Sequence, residues 1–554
     1  MPERAMTPAV DYLLNWISDY KKRILEFPGL DTNSIDPFSD DSIRFDFDAG
    51  RLIAQLKDGE IILHNATHQK KAEELIETPT HGLAENVLTP HLEGDYIFER
   101  TNNRGGGQWY RKNGVVWEPE YQIRILEREV LEAEIYAAHA RLDAITFDGK
   151  KTADIFKKTG KAIQKAQSVD FLNKTEEILR EALGVDPIAW NSTPDTLPCT
   201  DALIDFSGPK IKTREPEPGE YWRDPVPFTA AEIIESPHPV KYEKFLFEIF
   251  PDLHTNLTAR YCRAAAIRGT GTKSIVIAWN SLGNGAKNTD FDVHSRMTGS
   301  GMFAFPSGAL VTSKGDSGEK RFDSIRLRGA RFAVFDEVTG VFDVSALKRL
   351  TSLSEIRGEA KGQDAVTFQQ TWCIFILTNE LPAFFPPDDS AFLNRLIVIP
   401  YQSVFYESEE QRQQLLERGA DPEHLLPARD KREIIAELEP ERPGILRTMI
   451  EDAIALRDEY GGKVPESDLC KHSKENYRST NDRVESFLDE MIVRDSSGKI
   501  ANSRLLELYQ QFTGDKRTTS QTLVNRIKKK IPGIEPAAVG KSRGQAGIRE
   551  VVDA

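Results

Sequence analysis

The chain has 554 residues, of which 39% are hydrophobic and 29% are charged, a composition typical of a globular protein rather than a disordered one. At roughly 150 residues per domain, this length predicts three or four domains. Its four cysteines lie far apart, which excludes a disulfide framework and a Cys-x-x-Cys zinc motif and favours a reducing cytoplasm. No apolar run approaches the roughly 18 residues of a membrane span, and the first residues lack a signal-peptide core. We therefore expect neither membrane insertion nor secretion.

The charge is unevenly distributed along the chain. The formal net charge of −15 argues against a protein that coats polyanions in general. The segment 514–550, however, contains nine Lys or Arg residues and only three acidic ones. An acidic chain can still bind nucleic acid where its basic residues are concentrated, so this segment is a candidate contact.

The first half of the chain contains three segments of different character. Residues 1–90 combine a helix expected after Thr7 with short strands, and form an α+β region of unknown role. Asp46 and Asp48 could be read as the metal-binding pair of a primase-type polymerase, but the region is too short for such a core, and we favour a solvent-facing strand edge. Residues 91–208 are predicted to be a mainly helical domain that begins with a hairpin. Residues 209–239 are rich in proline and are predicted to be a semi-rigid connector.

The second half begins with an alternation of helices and short, wholly apolar strands. Continuous apolar runs of strand length are typical of a parallel sheet buried on both faces. Residues 240–410 are therefore predicted to be an α/β nucleotide-binding domain. Residues 411–465 are expected to be helical, and residues 466–554 to form three small helices and a β extension, a winged-helix-like domain. The expected strands of the α/β domain lie at 274–279, 331–335, 372–377 and 396–399.

The loop after the first of these strands reads NSLGNGAKNT. A phosphate-binding loop needs glycines so that backbone N–H groups can converge, a Lys for the terminal phosphates, and a Ser or Thr for Mg²⁺. The strict pattern GxxxxGK[ST] is broken here, because Ala286 precedes Lys287 and Asn288 follows it. We still predict a nucleotide-binding loop. Its contributing residues are Gly283, Asn284, Gly285, Lys287, Asn288 and Thr289.

The second apolar strand ends in two adjacent carboxylates, Asp336 and Glu337. An Asp at such a strand end can hold Mg²⁺, and the following Glu can polarise the attacking water. Strands often end in acidic residues without a function. A Lys-bearing glycine loop and an Asp-Glu pair about fifty residues apart, each after a buried strand, together favour nucleotide hydrolysis. We expect Asp336 and Thr289 to hold the metal.

Three further features follow in chain order. Residues 355–368 read as a hairpin with Lys361 at its tip and Arg357 on its first arm. The third apolar strand ends in Asn379, which could orient a water or contact the γ-phosphate. Arg395 precedes the fourth strand and could reach a phosphate of its own or a neighbouring subunit, although a surface salt bridge is the simpler alternative.

The order of these parts resembles the superfamily 3 helicases, and more narrowly the primase-associated helicases of phages, plasmids and poxviruses. The resemblance covers roughly residues 90–550 and is most specific between 240 and 410. The phrases that carry it are LRGARFAVFDE (327–337), LKRLTSLSEIRGEAKG (347–362), ILTNELP (376–382) and NRLIVIPYQSVF (394–405).

The resemblance implies an AAA+ P-loop ATPase domain that uses ATP and Mg²⁺. It assigns Lys287 as the Walker A lysine, Asp336 and Glu337 as the Walker B pair, Asn379 as the sensor, Arg395 as a trans-acting arginine, and Lys361 and Arg357 as residues of a DNA-contacting hairpin in the pore of a hexamer. The chain departs from the family loop, which usually reads Gly-Asn-Gly-Lys-Ser/Thr. No polymerase-type primase domain is expected within residues 1–90.

We therefore expect a ring-forming, ATP-dependent DNA helicase that acts on single-stranded and forked DNA during replication of a phage or mobile element, in the host cytoplasm. A separate primase is left open as a partner. The basic residues Lys528, Lys529 and Lys530 are expected to contact DNA. Two alternatives stay open: a ring that binds DNA but has lost hydrolysis and serves as an origin-binding or loading platform, and a AAA+ ATPase that remodels a protein.

Overall fold

The computed structural model describes residues 43–46, 51–56, 59–64, 66–101, 106–144, 149–299, 302–304, 310, 323–353, 355–358, 365–384, 389–513 and 518–551. The chain divides into two compact units. The first comprises Met1–Asn113 and Glu118–Ile188, and the second comprises Gly114–Trp117 and Ala189–Ala554. The helix expected after Thr7 and the carboxylate of Asp48 lie outside the described residues, whereas Asp46 ends a strand.

The first unit combines two sheets with a group of helices. Its strands are β1 (Ile43–Asp46), β2 (Arg51–Leu56), β3 (Gly59–His64), β4 (Tyr96–Arg100), β5 (Gly107–Asn113), β6 (Val116–Glu120), which begins in residues of the second unit, and β7 (Gly184–Val185). Its helices are α1 (Ala66–Glu77), α2 (His81–Leu92), α3 (Ile123–Ala144), α4 (Gly149–Ala166) and α5 (Val169–Ala182). The strand orders are β1-β2-β3 and β6-β5-β4-β7. Leu131, Ile135 and Ala138 of α3 recur at helical spacing and are buried in the core of this unit.

A buried carboxyl group lies inside this helical core. Glu127 is fully buried, and neither of its carboxylate oxygens has a hydrogen-bond partner among the residues that the structure describes. Burial raises its pKa to about 8, and the charge of Glu176 acts in the same direction, against Arg124 and Arg180. Glu176 itself accepts hydrogen bonds from the Nε atom of Arg124 at 2.6 Å and from Arg180. The two acidic residues therefore occupy very different environments, one paired and one isolated.

The second unit has the α/β organisation that its apolar strands predict. Its strands are β8 (Thr196–Pro198), β9 (Leu203–Asp205), β10 (Lys212–Arg214), β11 (Ile275–Trp279), β12 (Phe303–Ala304), β13 (Phe332–Phe335), β14 (Ile356–Gly358), β15 (Val366–Phe368), β16 (Cys373–Thr378), β17 (Leu396–Pro400), β18 (Val404–Tyr406), β19 (Leu425–Pro427), β20 (Ile492–Ala501), β21 (Glu535–Val539) and β22 (Ser542–Glu550). Its helices are α6 (Ala230–Ile234), α7 (Val240–Ile249), α8 (Leu253–Ile267), α9 (Lys287–Thr298), α10 (Val344–Leu350), α11 (Ser390–Leu393), α12 (Glu409–Glu417), α13 (Lys431–Leu438), α14 (Arg442–Tyr460), α15 (Asp468–Asn481), α16 (Arg483–Met491), α17 (Asn502–Thr513) and α18 (Ser520–Lys530). Short 3₁₀ helices lie at Asp323–Leu327, Pro422–His424 and Glu439–Glu441.

A five-stranded parallel sheet forms the centre of this unit, with strand order β12-β13-β16-β11-β17. Alternate residues of each strand enter two different cores: Val276 and Ala278 face one, and Ile275 and Ile277 face the other. Because both faces are covered, neither set can be polar, which explains the continuous apolar runs. The prediction of a mixed α/β chain with a parallel sheet is confirmed.

The second half of the proline-rich stretch 209–239 packs into the α/β unit. Trp222, Val226 and Ile233 are completely buried. Trp222 packs with Leu203 and with Val116, a residue that the hairpin of the first half contributes to the second unit. The stretch thus supplies large apolar side chains to two cores, in addition to the connection that its prolines predict.

The end of the chain forms a small cluster of three helices and a three-stranded antiparallel sheet. The helices are α16, α17 and α18, and the strand order is β20-β22-β21. Val484, Phe487, Leu505, Leu523 and Ile527 form its core. Among the described residues, no helix is both long and apolar enough to span a membrane.

Candidate functional site

The candidate nucleotide site is built on the loop between β11 and α9. Asn280, the first residue after the strand, is buried, and its Nδ2 atom donates to the carbonyl of Tyr401 at 2.7 Å. Its Oδ1 atom accepts from the backbone N–H of Leu282 at 3.0 Å. A Cβ atom on Gly285 would lie 2.9 Å from Asn280 Nδ2. The side chain of Asn280 therefore fixes the loop, and a glycine at 285 allows the close approach.

Several loop residues have a left-handed backbone. The φ angles are 77° at Gly283, 50° at Asn284 and 59° at Ala286. Glycine and asparagine adopt this region readily, but the Cβ atom of alanine costs roughly 1–2 kcal/mol there. Ala286 is the N-cap of α9 and makes no side-chain cap hydrogen bond. This side chain therefore leaves the first N–H groups of α9 available to an anion, which an anion-binding helix N-terminus requires.

Lys287 opens α9 and its side chain turns toward the end of β16. It is 7% exposed, and its Nζ atom donates to Asn379 Oδ1 at 2.5 Å. Burial lowers the pKa of Lys287 to about 8, and the negative charge of Asp336 opposes this shift. A buried ammonium with one neutral partner is prepared to bind an anion, because a phosphate would replace the lost hydration.

Asp336 and Glu337 follow β13 and are both exposed. Asn288 Nδ2 donates to Asp336 Oδ2 at 3.1 Å, so this amide occupies the position after the lysine where a hydroxyl is usual. The backbone N–H of Glu337 donates to Asp336 Oδ1 at 2.9 Å, and Glu337 has φ of 50°. A non-glycine residue held in this region is a strained position of the kind that clusters at functional sites.

These residues meet in one cavity of 570 Å³ at the carboxyl edge of the parallel sheet. Binding sites of open α/β sheets lie at this edge. The cavity is lined by Asn284, Gly285, Ala286, Lys287, Asn288, Thr289, Asp336, Glu337, Thr339, Leu377, Thr378, Asn379 and Glu380. All the predicted nucleotide-loop residues except Gly283 line it, together with Asp336, Glu337 and Asn379.

The oxygen atoms in this cavity fit Mg²⁺ better than a transition metal. No group of three or more His, Cys, Asp or Glu side chains that could hold a metal lies together in the described part of the chain. Asp336, Asn288 and Thr289 offer carboxylate, amide and hydroxyl oxygens. Mg²⁺ is commonly bound through one or two carboxylates together with substrate phosphates, and this donor set meets that requirement.

A buried polar network supports α9 from the side away from the cavity. Asp290 is completely buried, forms an ion pair with Arg263, and accepts from Tyr401 Oη at 2.6 Å. Burial by itself would raise the pKa of Asp290, but the charges of Arg263 and His294 and the hydrogen bonds from His294 and Tyr401 together lower it to about 2. Neither Asp290 nor Asn280 is among the site residues predicted from the sequence. Their only signals are the position of Asn280 directly after the strand and the three-residue spacing of Asp290 from Lys287.

Arg395 lies away from this cavity. It precedes β17, and its carbonyl accepts from the N–H of Ile275 at 2.7 Å, at the amino end of the sheet. The cavity is at the carboxyl end, about five residues or roughly 15 Å away along the strands. Arg395 Nη1 donates to the carbonyl of Ala391 at 2.6 Å, while its buried Nε atom has no partner within the described part of the chain. Arg395 therefore does not belong to the cavity of its own chain.

The predicted DNA-contacting residues fall at two places. Arg357 is exposed on β14, which pairs antiparallel with β15, while Lys361 lies outside the described residues. Lys528 is half-buried on α18. Lys530 Nζ lies 2.7 Å from Asp482 and 2.7 Å from Glu485. Lys529 belongs to the same helix, and its side chain lies outside the described part of the chain.

Comparison with known proteins gives two partial family matches. Residues 99–251 match the family described as D5 N terminal like. Residues 287–395, which begin at Lys287 and contain the Asp-Glu pair, match a family of unknown function, DUF5906. No match was found among curated proteins.

Similar solved structures include two of the C-terminal region of NrS-1. The A-form apo structure has a TM-score of 0.42 at 12% identity and covers 84% of this chain and 97% of that one. A second apo structure has a TM-score of 0.40 at 13% identity, with coverage of 84% and 98%. At this level of similarity neither structure identifies the activity.

Proposed function

We propose that this chain is an ATP-dependent, ring-forming DNA helicase that acts in the replication of a phage or mobile element. The observation that carries the proposal is the convergence of Lys287, Asp336, Glu337 and Asn379 in one cavity at the carboxyl edge of a parallel sheet. The match of the preceding region to the D5 N terminal like family supports a role in DNA replication.

The polar and charged side chains predicted from the sequence have distinct tasks in nucleotide hydrolysis. Lys287 and the N-terminus of α9 neutralise the terminal phosphates. Glu337 orients the attacking water, and Asn379, released from Lys287, contacts the water or the γ-phosphate. Asp336, with Asn288 or Thr289, would hold Mg²⁺, which when bound offsets the negative charge of the phosphates.

The position of Arg395 supports the proposal of a ring. No arginine lines the cavity in the described part of the chain, although phosphoryl transfer commonly uses an arginine to stabilise the transition state. Arg395, at the opposite edge of the sheet, would contact the nucleotide of a neighbouring subunit. Each site is then completed only by assembly, and a homohexamer meets this need.

The DNA contacts are assigned to two surfaces. The β14–β15 hairpin, with Arg357 and Lys361, would face the central channel and contact one strand through its phosphates. The helices α16–α18 and strands β20–β22 form a winged-helix-like module that would contact duplex DNA, with Lys528 among the contacts.

The test is ATP turnover by the full chain with and without single-stranded DNA, for wild type, Lys287→Ala and Glu337→Gln. The expected result is DNA-stimulated turnover in wild type, no nucleotide binding in Lys287→Ala, and binding without turnover in Glu337→Gln. Matched controls are Lys273→Ala and Glu459→Gln, which change exposed residues outside the cavity. Wild type that behaves like both site variants would overturn the proposal.

A second candidate function is a DNA-binding ring that binds nucleotide but does not hydrolyse it. The observations that favour it are the left-handed alanine at position 286 and the amide of Asn288 on Asp336 in place of a hydroxyl. Nucleotide binding that is sensitive to Lys287→Ala, together with absent turnover in wild type, would identify this candidate.

A further inference from the structure

The loop at residues 379–384, here the junction loop, follows directly from the nucleotide cavity. It begins with Asn379, whose Oδ1 atom accepts from Lys287. Its next turn is fixed by Thr378, whose Oγ1 atom donates to the carbonyl of Glu380 at 2.6 Å. A change in the position of Asn379 therefore acts on a short segment with little freedom of its own.

The junction loop is also bound to the segment that follows the Asp336–Glu337 pair. The N–H of Ala383 donates to the carbonyl of Gly340 at 2.8 Å, and the N–H of Phe342 donates to the carbonyl of Ala383 at 2.7 Å. The segment after β13, which carries the acidic pair, and the segment after β16, which carries Asn379, are thus hydrogen-bonded to each other through their backbones.

The other side of the junction loop is held by the last turn of α15. Asn481 Nδ2 donates to the carbonyl of Phe384 at 3.0 Å, and Asn481 Oδ1 accepts from the N–H of Phe384 at 3.0 Å. Tyr477, buried one turn earlier, donates from its hydroxyl to the carbonyl of Pro382. A single amide side chain therefore satisfies both backbone groups of one loop residue, a geometry that fixes orientation as well as distance.

The residue after Asn481 connects this contact to the basic helix α18. Asp482 follows α15 directly and caps α16, accepting from the N–H of Val484 at 3.2 Å. Its carboxylate is 3% exposed and lies 2.7 Å from Lys530 Nζ and 3.6 Å from Arg526 Nη2. No linker separates α15 from α16, so the C-terminal module is attached to the same helix end that binds the junction loop.

We infer that Asn481 is a positioning residue that couples the nucleotide site to the C-terminal DNA-binding module. The inference rests on the proposed function, since it requires that the cavity binds nucleotide and that the module binds DNA. When phosphate replaces Asn379 as the partner of Lys287, the junction loop shifts, and Asn481 transmits the shift to Asp482 and α18. Coupling by a shared element must be reciprocal, so DNA binding alters nucleotide affinity by the same factor.

The two ends of this path are distinct sites, and the element between them is continuous. Lys287 has a protein partner only while no phosphate is bound, which gives the loop two arrangements. A ligand can shift an equilibrium only by its differential affinity for the two states, and the Lys287–Asn379 hydrogen bond is the interaction that differs between them. The path is therefore defined by contacts that a single substitution can remove.

The experiment measures the affinity of the full chain for duplex DNA, the ligand assigned to the C-terminal module, with and without a saturating, non-hydrolysable fluorescent ATP analogue. The ratio of the two dissociation constants is the coupling factor. We expect wild type to give a factor in the usual range of roughly 5- to 150-fold. In Asn481→Ala the factor should fall to within about twofold of one, while each ligand still binds alone.

Two further variants separate coupling from folding. Asn476→Ala is the matched control, because Asn476 is an exposed asparagine on the same helix, and its coupling factor should equal that of wild type. Asn481→Asp keeps the acceptor for the Phe384 N–H and loses the donor to its carbonyl, so it replaces Asn481→Ala if that variant does not fold. Its coupling factor should lie below that of wild type.

The outcomes distinguish the inference from the proposed function. A coupling factor in the folded Asn481 variant equal to that of wild type, with both ligands bound, overturns the inference alone. The same conclusion follows if wild type binds both ligands independently of one another. Absence of nucleotide binding in wild type overturns the proposed function, and the inference falls with it.

Discussion

Lys287 and Asn379 are joined by a hydrogen bond of 2.5 Å between the lysine Nζ atom and the asparagine Oδ1 atom. This bond connects the first turn of α9 to the end of β16 across the candidate nucleotide cavity. A phosphate that enters the cavity must take the lysine away from the asparagine. The exchange is favourable, because a hydrogen bond between two ionised groups is stronger than one between a charged and a neutral group.

Nucleotide affinity should fall as the pH rises above about 8. Burial lowers the pKa of Lys287 to about 8. Below this pH the lysine is already charged, and binding requires no proton. Above it, the bound phosphate favours the charged form, so binding takes up a proton and affinity falls by up to about tenfold per pH unit. The measurement is the Kd of a fluorescent ATP analogue, from one unit below this pKa to one unit above it. Lys287→Arg should give a flat profile, because guanidinium stays charged, and a flat profile in wild type would contradict the expectation.

Ala286→Gly should stabilise the protein. Ala286 has a φ angle of 59°, and removal of its Cβ atom relieves strain of roughly 1–2 kcal/mol, partly offset by the greater freedom of glycine in the unfolded chain. We expect a net gain of about 0.5–1 kcal/mol and an equal or tighter Kd for nucleotide. Ala231→Gly, at an exposed position in α6, should instead lower the free energy of unfolding. Thermal unfolding of both variants is the measurement. An equal loss of stability in Ala286→Gly and Ala231→Gly would mean that the loop is not strained at Ala286.

Arg395→Ala subunits should inhibit ATP turnover when they are mixed into wild-type assemblies. If Arg395 completes the site of a neighbour, each variant subunit disables a site that it does not itself contain, and ATP turnover by the wild type alone should rise steeply with protein concentration. Turnover is measured while the variant fraction is increased at constant total protein. Arg418→Ala, an exposed arginine at the C-terminus of α12, is the control. Turnover by Arg395→Ala alone that equals wild-type turnover, or wild-type turnover per subunit that does not depend on protein concentration, would contradict a trans-acting Arg395.

Lys528→Ala and Lys530→Ala should have different effects. Lys530 lies 2.7 Å from both Asp482 and Glu485. Its removal leaves the buried Asp482 with the more distant Arg526 as its one basic partner among the described residues, which lowers the free energy of unfolding. Lys528 has no ion pair among the described residues and is available to phosphates. We expect Lys528→Ala to weaken duplex binding and to reduce the salt dependence by about one counterion. Binding isotherms at several salt concentrations test this, and an equal salt slope in wild type and Lys528→Ala would remove Lys528 from the interface.

The free energy of unfolding should fall as the pH rises through the range between the unfolded and folded pKa values of Glu127. Its pKa in the folded state is about 8 and its ordinary value is 4.5. Between these values the unfolded chain has released the proton that the folded chain retains, so the free energy of unfolding falls by up to about 1.4 kcal/mol per pH unit. Glu127→Gln should flatten this decline, whereas Glu129→Gln, on the exposed side of the same helix, should not. Denaturant unfolding at pH 5 and pH 8 provides the comparison, and the same slope in Glu127→Gln as in wild type would refute this account.

The sheet was accessible from sequence because both of its faces are buried. Val276 and Ile277 enter different cores, so neither could be polar, and the strand is visible as an apolar run. Since parallel strands end at a common edge, the meeting of Lys287 and Asp336 could also be predicted. The positive φ of Ala286 could not, because alanine rarely adopts it and the residue gives no local signal.

The contacts of Asn481 could not be predicted from the sequence for a different reason. Its partner Phe384 is 97 residues away in the chain, and an asparagine at the end of a helix is common without such a partner. The burial of Trp222 was likewise obscured, since proline predicts an extended connector but does not determine whether that connector packs. Long-range packing of irregular segments has no periodicity that sequence can display.

The insertion of Gly114–Trp117 into the second unit affects how the chain can be divided. Val115 and Val116 pack with Leu203 and Trp222, and the N–H of Trp117 donates to the carbonyl of Trp222 at 2.8 Å. A fragment that starts at residue 189 would lack Val115, Val116 and Trp117 and would expose the indole of Trp222 to water. Residues 189–554 alone are therefore not the complete second unit. A shortened chain that retains Trp222 would have to retain the hairpin tip at residues 114–117 as well.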